Sequence, residues 1–440
     1  MKKIFLSIVG FSMICRFSAF AQTKEDTSHN KSPFTLYQPV KINSDPAPDD
    51  YNPRALRIDE INLVSSYYWQ RGDHSAITGG IGTEKVSDIS NGLDLKLAWN
   101  GDNQNKNTIS LGLGLDHHSS ASSAFVTTTG LGKQGGTRIY PSFDWTVENS
   151  KTGNTFGLGM YYSGEYNYKS LGGDVHFSQK TADKNGEFSF KLQAYLDHVT
   201  LIYPSEFVQV ITPATTGATY ITTASGNVVL SNGGSTASTS LPTKPRDTYT
   251  ASFGYSQIIN SRLQVMFLAD VVAQNGYLSL PFHRVYFSNG KDTIEKLPSS
   301  RFKLPLGFRA NYFLGDNIIL RSYYRYYLDN WGTRANTVSL EIAYKVSPFF
   351  SISPFYRYYT QTAARYFAPY EGHSASDEYY TSNYEYAKFN SQFFGVGFRV
   401  APPKGVFGLH NLHEMEIRYG HYAQNTDLVS NVVSLSLGFK

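Results

Sequence analysis

Between residues 300 and 346 the chain alternates apolar and polar side chains through three successive runs, and a repeat of two belongs to a β-strand whose faces meet different surroundings. In the first run Phe302, Leu304, Leu306, Phe308, Ala310 and Tyr312 share one face, and Arg301, Lys303, Gly307, Arg309 and Asn311 share the other. After a turn at Leu314, Gly315, Asp316 and Asn317, the second run sets Leu320, Tyr324, Tyr326 and Leu328 against Arg321, Arg325 and Asp329. The third sets Val338, Leu340, Ile342 and Tyr344 against Thr337, Ser339, Glu341 and Lys345. A wall with hydrocarbon outside and a polar lumen inside has this pattern. The expected fold is all-β, a transmembrane up-and-down antiparallel β-barrel.

The same faces recur along the chain. Examples are Ile61, Leu63, Tyr67 and Trp69; Leu93, Leu95, Leu97 and Trp99; Phe156, Leu158, Met160 and Tyr162; and Val429, Val433, Leu435, Leu437 and Phe439. They predict about sixteen strands, an even number as single-chain bacterial barrels have. Short connections (101–106, 149–153, 182–186, 260–261, 314–317, 347–349) alternate with longer ones (71–88, 119–135, 200–246, 276–299, 365–388). The short set is expected in the periplasm and the long set outside the cell. Three long-side loops, near residues 167, 330 and 426, are short, and the last turn of the other side, 402–411, is long. Pro141, Pro305 and Pro354 fall inside strands, where a missing N–H calls for a bulge or a strand end. The run from Arg262 to Ala273 is apolar on both faces, so its register is weakly set. Segment 200–246, rich in Thr, Ser, Gly and Ala, is expected as a mobile surface loop, the other reading being a constriction folded into the lumen.

Lys2 and Lys3 precede an apolar run from Ile4 to Cys15, and Ala19, Phe20 and Ala21 offer an A-x-A cleavage site, so residues 1–21 are expected as a signal peptide. Residues 22–55, punctuated by five prolines, are expected as a flexible periplasmic segment, and 56–440 as the barrel. The single cysteine, Cys15, lies within the signal, which leaves the mature chain without a thiol. The 33 Tyr and 29 Phe suit aromatic girdles at the two membrane surfaces, against a secreted β-sandwich or soluble barrel with an aromatic core. The expected location is the outer membrane, with its lipid and the barrel-assembly machinery as partners, and no nucleic acid.

Catalytic signatures are scarce. There is no G-x-S-x-G elbow or P-loop, and HEMEI at His413 lacks the second histidine of a zincin. Gly112-Leu-Gly114 is explained by lumen glycines between lipid-facing leucines. The acid–histidine steps Asp73-His74 and Asp116-His117-His118 stand at strand rims, and the alternative to a pore is a rim-sited hydrolase using Asp116 and His117. Metal capture by these histidines with His283 and His373 is weighed too, but nothing in the spacing makes them converge; no metal or cofactor is expected. Lumen positions carry the stronger signal. The first nine strands supply Asp94, Asp116, Asp144, Glu148, Asp174, Glu187, Asp197 and Asp270 against Lys96 and Lys191. The last seven supply Lys303, Arg309, Arg321, Arg325, Lys345, Arg357, Arg399 and Arg418 against Asp329, Glu341, Glu414 and Glu416. An acidic wall facing a basic wall puts a transverse field across the lumen, with a constriction at Arg309, Arg321, Arg325 and Arg357 opposite Asp94, Asp144 and Asp174. The alternative is a salt-bridged lumen in which Glu341 pairs with Arg325 or Arg309.

The stretches YRYYLDNWGTRANTVSLEI (Tyr324 to Ile342), PFYRYYTQTAARYF (Pro354 to Phe367) and GYLSLPFHRVYF (Gly276 to Phe287) resemble recurrent motifs of the family called domain of unknown function 3570. The resemblance implies an outer-membrane barrel encoded near a periplasmic flavin transferase and a thioredoxin-like protein, hence a periplasmic redox or flavin partner. It assigns no residue a role. The function expected is a passive pore, transport channel or assembly scaffold, and not an enzyme.

Overall fold

The computed structural model describes residues 55–101, 105–120, 136–204, 207, 219–222, 228–232, 235–239 and 242–440. The expected signal peptide, Cys15 and all of the periplasmic segment but Ala55 lie outside these residues. Sixteen antiparallel strands close into one barrel, each beside its neighbours in sequence. They are β1 (Arg57–Arg71), β2 (Val86–Asn100), β3 (Lys106–Ser120), β4 (Gly136–Glu148), β5 (Thr155–Glu165), β6 (Tyr168–Lys180), β7 (Gly186–Thr200) and β8 (Thr243–Asn260). The second half comprises β9 (Leu263–Gly276), β10 (Ser300–Leu314), β11 (Ile318–Asp329), β12 (Arg334–Ser347), β13 (Phe350–Gln361), β14 (Phe389–Val400), β15 (Leu412–Gln424) and β16 (Val429–Phe439). Closure is made by β1 against β16, from Ile61↔Phe439 to Arg71↔Val429, so no edge strand is left in the wall.

The alternation fixes which face is which. Leu111, Leu113 and Leu115 on β3, Phe302, Leu306 and Tyr312 on β10, and Val338, Leu340, Ile342 and Tyr344 on β12 are all exposed. Water would penalise such a belt by roughly 25 cal/mol per Å², whereas hydrocarbon does not. Ten residue steps separate Phe302 from Tyr312. At a rise of about 3.3 Å and a tilt of about 40°, they span roughly 25 Å, the height of a barrel's apolar band. Tyr67, Trp69, Tyr162 and Tyr249 edge the belt toward the long loops, and Tyr255, Tyr312 and Tyr344 edge it toward the short turns. Positions between these outward residues are polar and packed inside, among them Asp174, Asp197, Gln274, Asp329 and Ser391.

The prolines are accommodated differently from expectation. Pro141 stays in register with Leu113 of β3, but the ladder to β5 skips from Ile139↔Gly164 to Ser142↔Tyr161. Pro305 pairs with Tyr327 while the β9 ladder skips from Ala269↔Leu306 to Val272↔Lys303. Pro354 pairs with Val396 while the β12 ladder skips from Glu341↔Phe355 to Tyr344↔Ile352. Each gap preserves register, so the missing N–H costs one local ladder interruption on one side rather than a bulge. Register shifts do occur at Ile58/Glu60, Ile258/Asn260, Lys345/Ser347 and Leu412/Glu414, all at the short-turn end. In β9, Phe267 faces outward against Phe308 of β10, which puts Met266, Leu268 and Asp270 inside. Within 200–246 the described residues include three short paired strands, Thr219–Thr222, Val228–Asn232 and Ser235–Thr239. The choice between mobile loop and lumen insert falls largely on residues outside the description.

Candidate functional site

The barrel interior is a charged surface whose pairing differs from two opposed walls. On the basic side, Arg321 Nη1 of β11 donates to Glu341 Oε1 of β12 at 2.6 Å. Arg418 of β15 reaches past two intervening strands to donate from Nη2 to Glu341 Oε2 at 2.7 Å, and from Nη1 to Glu416 Oε1 at 3.0 Å. Arg399 Nη2 donates to Glu414 Oε2 at 2.7 Å. Glu341 therefore serves Arg321 and Arg418, and not Arg325 or Arg309 as the sequence suggested. Arg309 lies over the Tyr323 ring at 5.8 Å and Arg357 over the Phe393 ring at 4.9 Å.

The acidic side carries bases that the strand inventory left out. Lys180 Nζ lies 3.2 Å from Glu148 Oε1, and Arg246 Nε 3.6 Å from Asp197 Oδ2. Arg138 donates to Ser163 and stacks over Tyr140. The transverse field is correspondingly patchier than a count of acids and bases implies. Asp94 sits beside Gly112 and Ser142 on the neighbouring strands.

Asp144 and Asp174 come together, and the residue that joins them, His176, was not singled out from the sequence. His176 Nδ1 is 2.9 Å from Asp174 Oδ1 and 3.8 Å from Asp144 Oδ2. Ligand atoms of these three residues lie within 4.8 Å of one another, the one such grouping among the described residues. The donor set is already used: Asp174 also accepts from the Tyr161 hydroxyl and faces Lys191 Nζ at 3.1 Å, and His176 Nε2 lies 3.2 Å from Thr146 Oγ1. An ammonium in that position repels a cation, so the cluster is a hydrogen-bonded lumen network.

The long-loop mouth is spanned by a cap made of segments 72–85, 277–299 and 362–388. Arg284 Nη1 donates to the Ile77 carbonyl at 2.7 Å, joining the β1–β2 loop to the β9–β10 loop, which rises almost diametrically opposite. The His74 ring stacks on Tyr384 at 3.7 Å, joining the first of these loops to the third. Bridges Phe287↔His373 and Lys296↔Tyr380 and the Thr381 hydroxyl bond to Glu295 at 2.6 Å knit the second to the third. Beneath them Trp331, 1 % exposed, packs with Leu278, Leu297, Tyr366 and Tyr386 as a small hydrophobic core. A repeated device fastens the cap to the wall. In Tyr68-x-Gln70 and Tyr359-x-Gln361 the tyrosine hydroxyl donates to the glutamine carbonyl at 2.6 Å. The amide is then left to hold loop backbone, Gln70 on Glu84 O, and Gln361 on Glu385 O and Ala387 O.

The rim dyad does not form. Asp116 faces the lumen, where the Tyr140 hydroxyl donates to it at 2.7 Å, while His117 is exposed on the outer face beside Thr137. Consecutive strand residues point to opposite faces, which separates the carboxylate from the imidazole. The other histidines are dispersed. His118 faces Glu165, His283 faces Glu295, and His373 lies between Asp377 and the Thr381 carbonyl.

An apolar belt outside, a charged lumen within and no open sheet edge define a β-barrel of the membrane-spanning class. The chain belongs to the family described as Protein of unknown function (DUF3570), whose model matches residues 132–433. No curated protein matches it. Among solved structures it is similar to a BenF-like porin from Pseudomonas fluorescens Pf-5, at 7% identity over 86% of this chain and 98% of that one, with a TM-score of 0.40. It is similar to OccK1 (OpdK) of Pseudomonas aeruginosa at 7% identity, over 86% and 97% of the two chains, with a TM-score of 0.38. A TodX monoaromatic hydrocarbon channel mutant shares 9% identity over 88% and 92%, with a TM-score of 0.37. Likeness at this level assigns no role to any residue.

Proposed function

We propose that the protein is an outer-membrane channel for a small polar solute, with its long-loop mouth outside the cell beneath the cap and its short turns in the periplasm. The observation that carries this reading is a closed wall with an exposed apolar belt around a charged interior. A lumen that conducted nothing could be filled with apolar side chains at lower desolvation cost. Arg309, Arg325 and Arg357, facing Asp94 and the Asp144–Asp174–His176 network, are the proposed constriction, and the cap is its outer cover. A chain with a signal-type N-terminus fits the same location.

Planar-bilayer recording and liposome swelling with solutes of graded size test the proposal, using both the native chain and a cap-loosened variant such as Gln361→Ala. Discrete conductance in either protein supports the channel. Silence in both, with the barrel folded, refutes it in favour of a closed scaffold.

A further inference from the structure

We infer that Arg309, Arg325 and Arg357 form a binding site for a small, multiply charged oxyanion inside the barrel. The inference rests on the channel reading only for its location in the lumen. Among the described residues none of the three has a carboxylate within ion-pairing distance, although Glu341 stands one step away on β12. Both oxygens of Glu341 are taken by Arg321 and Arg418. Asp270, inward on β9, makes no ion pair with them either.

The ladder registers place the three in two adjacent rows of one wall. One row runs Arg309↔Tyr323↔Ser339↔Arg357↔Phe393 across β10 to β14. The next runs Gly307↔Arg325↔Thr337↔Tyr359. On β12 the small residues Ser339 and Thr337 thus stand between Arg325 and Arg357 and offer two hydroxyls, and Gly307 stands beside Arg325 on β10, while the Tyr323 ring lies under Arg309. Strands stand about 4.8 Å apart and rows two residues apart about 6.8 Å, so the backbones of Arg325 and Arg357, two strands and one row apart, are separated by roughly 12 Å. Their side chains can close on one anion a few ångströms across. The flanks are stiff. Phe355 and Phe393 pack at 5.2 Å, with their rings over Gly395 and Gly420, positions where any Cβ would collide with them. Arg357 and Arg418 lie on those rings at 4.9 Å each.

Half-buried guanidiniums without counter-charge are costly, and a bound oxyanion offsets that cost. Arginine's planar fork suits carboxylate and phosphate oxygens, and three positive charges favour a ligand with two or more negative ones. Arg321, expected from the sequence to share the constriction, is excluded from the site because Glu341 occupies it.

Calorimetric titration of the detergent-purified, heat-modifiable barrel with inorganic phosphate and with succinate tests this without requiring conductance. Saturable binding of either is expected, weakened about tenfold or more by Arg325→Gln or Arg357→Gln, as loss of a charged hydrogen bond implies, and by clearly less in Arg321→Gln, which acts only through the Glu341 oxygen it releases. Phosphate alone would mark a phosphorylated ligand class, and succinate alone a dicarboxylate. Arg325→Lys and Arg357→Lys keep the charge and lose the fork, so they are expected to weaken binding several-fold even where the glutamine variants do not fold. Absence of saturable binding, or equal affinity in the native and doubly substituted proteins, overturns the site. Conductance without anion binding would sink the site and leave the channel, whereas anion binding without conductance would do the reverse.

Discussion

Replacing Asp329 with Ala is expected to open the cap while leaving the barrel closed. Asp329 ends β11, and its carboxylate receives Trp331 N at 3.0 Å and Thr333 N at 2.9 Å on one oxygen. The other receives Arg301 Nε at 2.9 Å and the Tyr327 hydroxyl at 2.8 Å. The Arg301 side chain is 11 % exposed and that of Asp329 0 %, so the ion pair is buried. Arg301 in turn lies 4.4 Å from the Trp331 ring and 5.4 Å from that of Tyr386, the aromatic floor of the cap. Removing the carboxylate leaves a buried guanidinium unpaired, which costs about 3–5 kcal/mol. The two orphaned N–H groups add to that, though not independently. The wall is held by ladders on both sides of every strand, so the loss falls on the cap. An opening free energy lowered by about 4 kcal/mol raises the open population roughly a thousandfold.

Trypsin cleavage after Arg284, which is buried beside Val285 in the closed cap, reads that population in the detergent-solubilised barrel when closing is faster than cutting. A rise of at least a hundredfold is expected in Asp329→Ala, with unchanged migration of the unheated barrel in SDS. The pair substitution Arg301→Met with Asp329→Leu should recover most of the protection, because it removes both charges together. Cleavage within threefold of the native rate would refute the assignment of Asp329 as the cap's electrostatic anchor.

Deleting Val433 to Lys440 removes most of the strand that pairs with both β1 and β15, so heat-modifiable migration and membrane insertion should both be lost. Epitopes at Gly290 and Gly315, both turn glycines with open space around them, should be labelled on intact cells and only after permeabilisation, respectively; reversed labelling overturns the orientation. Burial, with the Glu385 carboxylate nearby, pushes the Glu84 carboxyl from 4.5 up to about 7. A raised folded-state pKa makes docking of the 72–85 loop tightest below about pH 4.5 and progressively weaker up to about 7. Hydrogen exchange in that loop, corrected for intrinsic rate, should therefore rise over this range in the native protein and stay flat in Glu84→Gln.

How much of this was legible follows from what a strand's repeat encodes. Parity decided the barrel strands other than β9, whose two faces are both apolar, because Leu111, Leu113 and Leu115 could not all face the same lumen as Asp116. The inward tyrosines were harder to see. Tyr68, Tyr327 and Tyr359 carry the same side chain as the lipid-facing Tyr67, Tyr326 and Tyr358 beside them, and only the partner two residues on, Gln70, Asp329 or Gln361, marks the inward set. That Tyr-x-Gln or Tyr-x-Asp spacing was only a partial signal for the cap clamps, since the belt residue Tyr255 makes the same bond to Gln257 on the outer face. The cap itself left none, since its loops have no period and its contacts join segments hundreds of residues apart, as Ile77 and Arg284 do.

The same rule explains why the pairing of the lumen charges was not legible in the sequence. Alternation says which residues enter the lumen but not how far the wall curves between them, and curvature decides the partners. Asp116 and His117 are neighbours in the chain, and one residue step sends them to opposite sides of the wall. Glu341 and Arg418 stand three strands apart, and the closing wall brings them to 2.7 Å. Once that bond claims Glu341, charge balance on β10 to β13 is fixed by subtraction: Arg321 is satisfied and Arg309, Arg325 and Arg357 are not. Reversing the claimant therefore separates the two halves of the argument. Arg418→Glu should free one oxygen of Glu341 and add a carboxylate beside it, which weakens phosphate binding at the three arginines through charge alone while their own side chains remain in place. Phosphate affinity unchanged by Arg418→Glu would mean that the two clusters do not share a field, and the curvature argument would fail with it.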